Sequence, residues 1–130
     1  MVPMRTIKSA ARKIAERFHP QRIILFGSHA RGDADKHSDV DLMILMKGRG
    51  RRVHDKALEI RMAIDFGFPL DLLTRSPEEF ERRISWSDWF LKEIDEKGIT
   101  LYEAPDARMD QKSRRRLRNG ATRVARAKVA

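Results

Sequence analysis

The sequence contains no cysteine, which excludes a disulfide framework and any metal site built on thiolates. It also has no apolar run that approaches the roughly 20 residues with which an α-helix crosses a membrane. The first residues, MVPMRTIKSAARK, lack the apolar block of a secretory signal peptide. These absences favour a cytoplasmic protein without a membrane partner.

The chain is also short, and its charge is unevenly distributed. Its 130 residues are enough for one hydrophobic core but leave no room for a second catalytic lobe. The net charge is +9, yet residues 108–130 hold nine Lys or Arg and one Asp, which leaves 19 bases against 18 acids for residues 1–107. The near-neutral body argues against a domain that binds nucleic acid over its whole surface.

We therefore predict one domain over residues 1–107 and a basic, flexible tail over residues 108–130. The tail has too few apolar residues to fold alone. Two alternatives stay open for it. It is either an arm that contacts RNA or an acidic partner surface, with binding that weakens steeply with salt, or a solvated segment without a role of its own.

The stretch 22–45 carries the strongest pattern in the sequence. A β-branched and aromatic run over residues 23–26 ends at Gly27, which predicts a buried strand that stops at a residue with a permissive backbone. Ser28 then opens a short helical turn that ends at Gly32. A strand end, a Gly-Ser pair and a helix start bring backbone N–H groups and a hydroxyl to one point. This arrangement predicts a phosphate-binding site at Gly27 and Ser28.

Two acids follow in a second apolar run, at Asp39 and Asp41. Positions i and i+2 of a strand point to the same face and lie roughly 7 Å apart. Two carboxylates this close raise each other's pKa unless a cation lies between them. Oxygen ligands beside a phosphate site favour Mg²⁺, with Mn²⁺ as an alternative.

These residues carry a family resemblance. Gly27-Ser28, ten further residues and then Asp39-Val40-Asp41 resemble the signature of the DNA polymerase beta nucleotidyltransferase superfamily. The longer string, GSHARG through SDVDL, is similar to minimal nucleotidyltransferases that are often paired with HEPN-domain proteins. The resemblance covers about the first 104 residues and not the tail. It implies an α/β (α+β) fold in which helices flank a small mixed sheet of about four strands.

The resemblance also implies a third carboxylate on the strand after the next helix, and Asp71 within LDLLT matches it. Two metal ions are then expected, held by Asp39, Asp41 and Asp71. The leucines around Asp71 predict a buried carboxylate that needs a cationic neighbour. An ion pair with Arg75 is the alternative role for Asp71, and Asp65 is the rival candidate for the third acid.

The family implies nucleotidyl transfer, with Gly27 and Ser28 holding the β- and γ-phosphates of a nucleotide. Arg31 is expected either to steady the phosphates or to pin the loop 27–32 by an ion pair. The family further implies ATP as donor and a tyrosine of a HEPN-type toxin as acceptor, so that the protein acts as an antitoxin. Because the body is small, the site is expected to be half of a cleft, completed by the partner or by a second copy of the chain.

Other functions stay open at this point. The chain could be a catalytically idle module that binds nucleotide and partner, or it could transfer a nucleotide to RNA or to a small molecule. An aromatic and apolar stripe at helical spacing, formed by Trp86, Trp89, Phe90, Leu91 and Ile94, is expected on one helix. Packing in the core or at a partner interface is favoured for this stripe over stacking on a nucleobase.

Overall fold

The computed structural model describes residues 1–106, so the predicted tail at 108–130 lies outside the described residues. The helices in the described part are α1 (Met4–Phe18), α2 (Ser28–Arg31), α3 (Arg51–Ala63), α4 (Pro77–Ser85) and α5 (Trp89–Lys97). The strands are β1 (Arg22–Phe26), β2 (Val40–Leu45), β3 (Leu70–Arg75) and β4 (Ile99–Glu103). Among the described residues, no helix is long and apolar enough to cross a membrane.

The four strands form one mixed sheet in the order β3-β2-β1-β4. Strand β1 pairs antiparallel with β2 and β4, whereas β2 and β3 run parallel. Parallel neighbours need a crossover connection, and α3 supplies it between β2 and β3. The expected fold class, a small mixed sheet of about four strands flanked by helices, is confirmed.

The sheet separates two apolar clusters, because successive strand residues point to opposite faces. Helices α1 and α3 cover one face, where they contact Ile23, Leu25, Leu42 and Leu72. Helices α4 and α5 cover the other face through Phe80, Ile84, Leu91 and Ile94, which pack on Ile24, Met43 and Leu45. Residues two positions before or after Met43 or Ile24 on the same strand therefore point to the side of the sheet that α4 and α5 cover. Where those helices leave space, such residues border it.

The aromatic and apolar stripe was predicted on one helix, but a break between α4 and α5 divides it. Trp86 ends α4 instead of lying on α5, because Ser87 takes a left-handed φ of 67° and Asp88 caps a new helix by accepting the N–H of Leu91 at 3.1 Å. Trp86 and Trp89 are 70% and 84% exposed. The prediction that these tryptophans close the core is wrong, and their role at a partner interface stays a prediction.

A buried ion pair ties α5 to the sheet. Nη1 of Arg22 lies 3.2 Å from Oδ1 of Asp95, and both side chains are more than nine-tenths buried. Nε and Nη2 of Arg22 also donate to the hydroxyl of Thr100 at 3.2 and 3.0 Å. One guanidinium on β1 thus holds α5 and β4 in place. A buried charge needs such partners because its desolvation is costly.

Candidate active site

A row of three residues crosses the sheet at one end. The register pairs Phe26 of β1 with Asp41 of β2, and Asp41 with Asp71 of β3. Asp41 lies two positions before Met43, which is buried under α4 and α5, so the Asp41 side chain points to the same side of the sheet. Its strand partners Phe26 and Asp71 point to that side too. The structure therefore brings two of the three predicted carboxylates onto neighbouring strands.

Asp39 lies just outside this row. Strand β2 begins at Val40, so Asp39 precedes the strand in which the sequence pattern had included it. The carboxylate of Asp39 nevertheless acts on Asp41, whose pKa is raised by burial first, then by the negative charges of Asp71 and Asp39. The neighbouring negative charges disfavour the ionised form of Asp41, and a cation bound between the carboxylates would favour it.

Gly27 brings the predicted phosphate turn against Asp41. Its φ of 77° and ψ of −157° lie in a region that is essentially restricted to glycine. A Cβ built at this position would collide with Oδ2 of Asp41. The motif therefore requires glycine for two reasons, the backbone conformation and the close approach of the carboxylate.

Helix α2 begins directly after this glycine. The first N–H donor within the turn is that of Ala30, which donates to the carbonyl oxygen of Gly27 at 3.1 Å. The N–H groups of Ser28 and His29 precede the intrahelical hydrogen-bond pattern. They lie at the end of β1, next to the Ser28 hydroxyl, which is the arrangement that the sequence predicted for a phosphate site.

A cleft of about 530 Å³ joins these groups, a size in the range of small-molecule sites. One side of the cleft is lined by Gly27, Ser28, Arg31, Asp41 and Asp71. The other side is the face of α5 that carries Phe90, Glu93, Ile94 and Lys97. Five of the six residues predicted for the site thus line one cleft. Asp39 is not among the described residues that line it and contributes through its charge on Asp41.

The exposure of Asp71 differs from the prediction. The side chain is 66% exposed, and its Oδ1 lies 3.6 Å from Nη2 of Arg61 on α3. The prediction of a buried carboxylate is wrong because Asp71 stands at the cleft end of an edge strand, where the flanking leucines are buried and it is not. Arg75 contacts Glu79 at 4.0 Å instead. The rival acid, Asp65, is exposed beyond the end of α3 and is not among the described residues of the cleft.

Arg31 makes an ion pair and also lines the cleft. Its Nε lies 3.3 Å from Oδ2 of Asp33, with both side chains more than 60% exposed. An exposed pair of this kind contributes little to stability. Because Arg31 also lines the cleft and its charge lowers the pKa of Asp41, its position is compatible with an anionic ligand there.

His29 was not predicted to belong to the site. The imidazole is buried, its Nε2 accepts the N–H of Val2 at 3.3 Å, and its Nδ1 lies 3.2 Å from the carbonyl oxygen of Asp39. The two contacts assign the acceptor role to Nε2 and the donor role to Nδ1. His29 therefore fixes the backbone of Asp39 against α2 and the N-terminal segment.

The α5 wall was also missed. Phe90, Glu93 and Lys97 follow at intervals of three and four residues, the spacing that places side chains on one helix face. That spacing was visible in the sequence. The sequence did not show that this face would line the cleft, because that depends on how α5 packs on the sheet.

The donor set fits a hard divalent cation in type. Among the residues that the structure describes, no three His, Cys, Asp or Glu side chains are gathered closely enough to hold a metal ion together. However, all the acids here are oxygen donors, and the pKa of Asp41 is raised by burial first and then by the charges of the other two carboxylates. That Asp39, Asp41 and Asp71 hold Mg²⁺ therefore stays a prediction.

A mixed sheet that carries a Gly-Ser turn against two carboxylates agrees with the nucleotidyltransferase class that the sequence resembles. Residues 7–102 match the family described as "Nucleotidyltransferase domain". The chain belongs to this family and is a nucleotidyltransferase, which confirms the resemblance seen in the sequence at the level of the family.

Two proteins of Methanocaldococcus jannaschii, each named "Putative protein adenylyltransferase", are similar to this chain. One is 33% identical over 84 residues, which span 63% of this chain and 78% of the relative. The other is 38% identical over 80 residues, which span 62% and 77%. The crystal structure of a "putative nucleotidyltransferase" from Sulfolobus solfataricus shares the fold, with a TM-score of 0.55 and 22% identity over 77% of this chain and 79% of that one.

Proposed function

We propose that the enzyme transfers AMP from ATP to a tyrosine hydroxyl of a HEPN-type toxin and thereby acts as its antitoxin. The observation that carries the proposal is the cleft in which Gly27, Asp41 and Asp71 meet within a nucleotidyltransferase domain. The names of the two archaeal relatives support a protein acceptor. The toxin partner rests on the resemblance of the string GSHARG…SDVDL to minimal nucleotidyltransferases.

The phosphate end of the cleft would bind the triphosphate. The backbone N–H groups that follow Gly27 and the hydroxyl of Ser28 are donors suited to phosphate oxygens, and Arg31 adds a positive charge at the rim. In the reaction, the acceptor oxygen forms a bond to the α-phosphorus while the bond to the bridging oxygen breaks. The acceptor hydroxyl releases its proton to solvent, and pyrophosphate leaves with the electron pair of the broken bond.

The carboxylates would hold the metal ions. Asp39 and Asp41 would hold Mg²⁺ beside the phosphates, and Asp71 would help to hold the second ion. Bound Mg²⁺ neutralises phosphate charge and lowers the pKa of a coordinated hydroxyl. Three features of the chain position these carboxylates. Gly27 allows the close approach of Asp41, the β2–β3 register places Asp71 beside Asp41, and His29 contacts the backbone of Asp39.

The experiment compares two labels in the presence of a purified HEPN-type protein and Mg²⁺. Label from α-phosphate-labelled ATP should enter the partner, whereas label from γ-phosphate-labelled ATP should not, and intact mass should show whole AMP units. Asp41→Asn should lower the rate on the order of 10²–10³-fold, as removal of a charge-stabilising group does. Asp65→Asn is the matched control, because this exposed acid stands outside the cleft, and it should transfer normally.

Three results would contradict the proposal. Entry of the γ-label would indicate phosphoryl transfer, and label on RNA without label on protein would indicate another acceptor. Equal neutralisation of the toxin by the wild type and by Asp41→Asn, in the absence of ATP, would favour the idle binding module instead.

A further inference from the structure

An aromatic pair lines the cleft beside the phosphate turn. The rings of Phe26 on β1 and Phe90 on α5 meet edge to face, with centroids 5.7 Å apart and planes at 83°. Both residues line the cleft together with Gly27 and Asp41. Since Phe26 directly precedes Gly27 in the chain, the aromatic pair adjoins the turn that would bind the phosphates.

Phe90 is exposed, although its apolar neighbours on the sheet side of α5 are buried. Leu91 and Ile94 of the same helix are 3% and 2% exposed, whereas Phe90 is 54% exposed. Its contact with Phe26 leaves half of the side chain accessible at the wall of the cleft. An aromatic surface presented to a nucleotide-sized cavity is suited to stacking, because every base has a π-face.

We propose that Phe90, supported by Phe26, is the platform on which the base of the bound nucleotide stacks. It is a specificity-determining residue, since a purine offers a larger stacking surface than a pyrimidine. This inference rests on the proposed function only in placing a nucleoside triphosphate in the cleft. It is independent of the acceptor.

The test is nucleotide binding in the presence of Mg²⁺, measured by titration calorimetry on the full chain without any acceptor. The probes are ATP, CTP and inorganic tripolyphosphate. Loss of a base–aromatic stack corresponds to roughly 5- to 150-fold in affinity. Phe90→Ala should therefore weaken ATP binding by about that factor and leave tripolyphosphate binding unchanged, while Phe90→Tyr should retain the affinity for ATP.

Trp89 offers a matched control. It is the neighbouring residue, it is aromatic and 84% exposed, and it is not among the described residues that line the cleft. Trp89→Ala should bind all three probes as the wild type does. Phe90→Leu, which keeps apolar volume but removes the ring, should behave like Phe90→Ala and guards against loss of folding in the alanine variant.

Several outcomes would overturn the inference. These are unchanged ATP affinity in both Phe90→Ala and Phe90→Leu, an equal loss for tripolyphosphate, an equal loss in Trp89→Ala, or a wild type that prefers CTP. A wild type that binds no nucleotide would overturn the proposed function as well. If ATP binding depends on Phe90 but no protein is modified, the proposed function fails and the inference stands.

Discussion

Replacing Gly27 with alanine is expected to disable the enzyme by displacing Asp41. The residue has a positive φ of 77°, and an added Cβ would collide with the Oδ2 atom of the Asp41 carboxylate. The carboxylate lies on a paired strand and cannot move without shifting β2 or rotating away from the cleft. The added methyl group would thus displace Asp41, the central residue of the row formed by Phe26, Asp41 and Asp71.

Two magnitudes follow from this geometry. A side chain in a backbone region restricted to glycine costs on the order of 1–3 kcal/mol, which lowers the unfolding midpoint of a domain of this size by roughly 4–8 °C per kcal/mol. Moving Asp41 by about an ångström should lower the transfer rate roughly 10²-fold, as misplacement of a reacting group does. The loss of activity therefore exceeds what the loss of stability explains at temperatures below the midpoint.

Transfer of α-labelled AMP, measured below the unfolding midpoint of each variant, tests this reasoning. Gly67→Ala is the control, because Gly67 has a similar φ of 75° but open space around its Cβ. It should lose stability and keep its activity. Full activity in a folded Gly27→Ala variant would refute the argument, and so would an equal loss in Gly67→Ala.

Three further predictions concern charge and metal. Because the folded-state pKa of Asp41 is raised, the stability of the metal-free protein should fall as the pH rises through that pKa. Asp41→Asn should therefore raise the thermal midpoint in EDTA at pH 7, with little difference at a pH below the ordinary carboxyl pKa. Arg22→Met should cost about 3–5 kcal/mol in denaturant unfolding because it removes the buried cation that pairs with Asp95, and Arg22→Met combined with Asp95→Leu should recover most of it. EDTA should abolish AMP transfer, and added Mg²⁺ or Mn²⁺ should restore it.

The strands and helix ends were predictable where local chemistry decides them. The run before Gly27 forms β1, and Ser76 caps α4 by accepting the N–H of Glu79 at 3.0 Å. The position of Trp86 was not predictable from periodicity, because the left-handed turn at Ser87 interrupts a pattern that otherwise fits one helix. The Arg22–Asp95 pair was likewise hidden, since it joins residues 73 positions apart.

The candidate site was predictable in its residue types and less so in its geometry. The pairing of Asp41 with Asp71 depends on the parallel register of β2 and β3, which spacing along the chain does not encode. The exposure of Asp71 was misjudged because neighbouring leucines indicate only the opposite face of the strand. His29 fixes Asp39 through a contact to its backbone, and such contacts leave no pattern in the sequence.

The α5 wall changes what the small size of the chain implies. A body of about 107 residues suggested half a cleft that a partner or a second copy of the chain completes, yet α5 contributes Phe90, Glu93 and Lys97 to the cleft within the same chain. The buried Arg22–Asp95 pair holds that helix against β1. If Phe90 stacks on the base, this chain alone positions the donor nucleotide, and a partner is then needed only for the acceptor hydroxyl. Nucleotide affinity should therefore not depend on the partner, whereas transfer should.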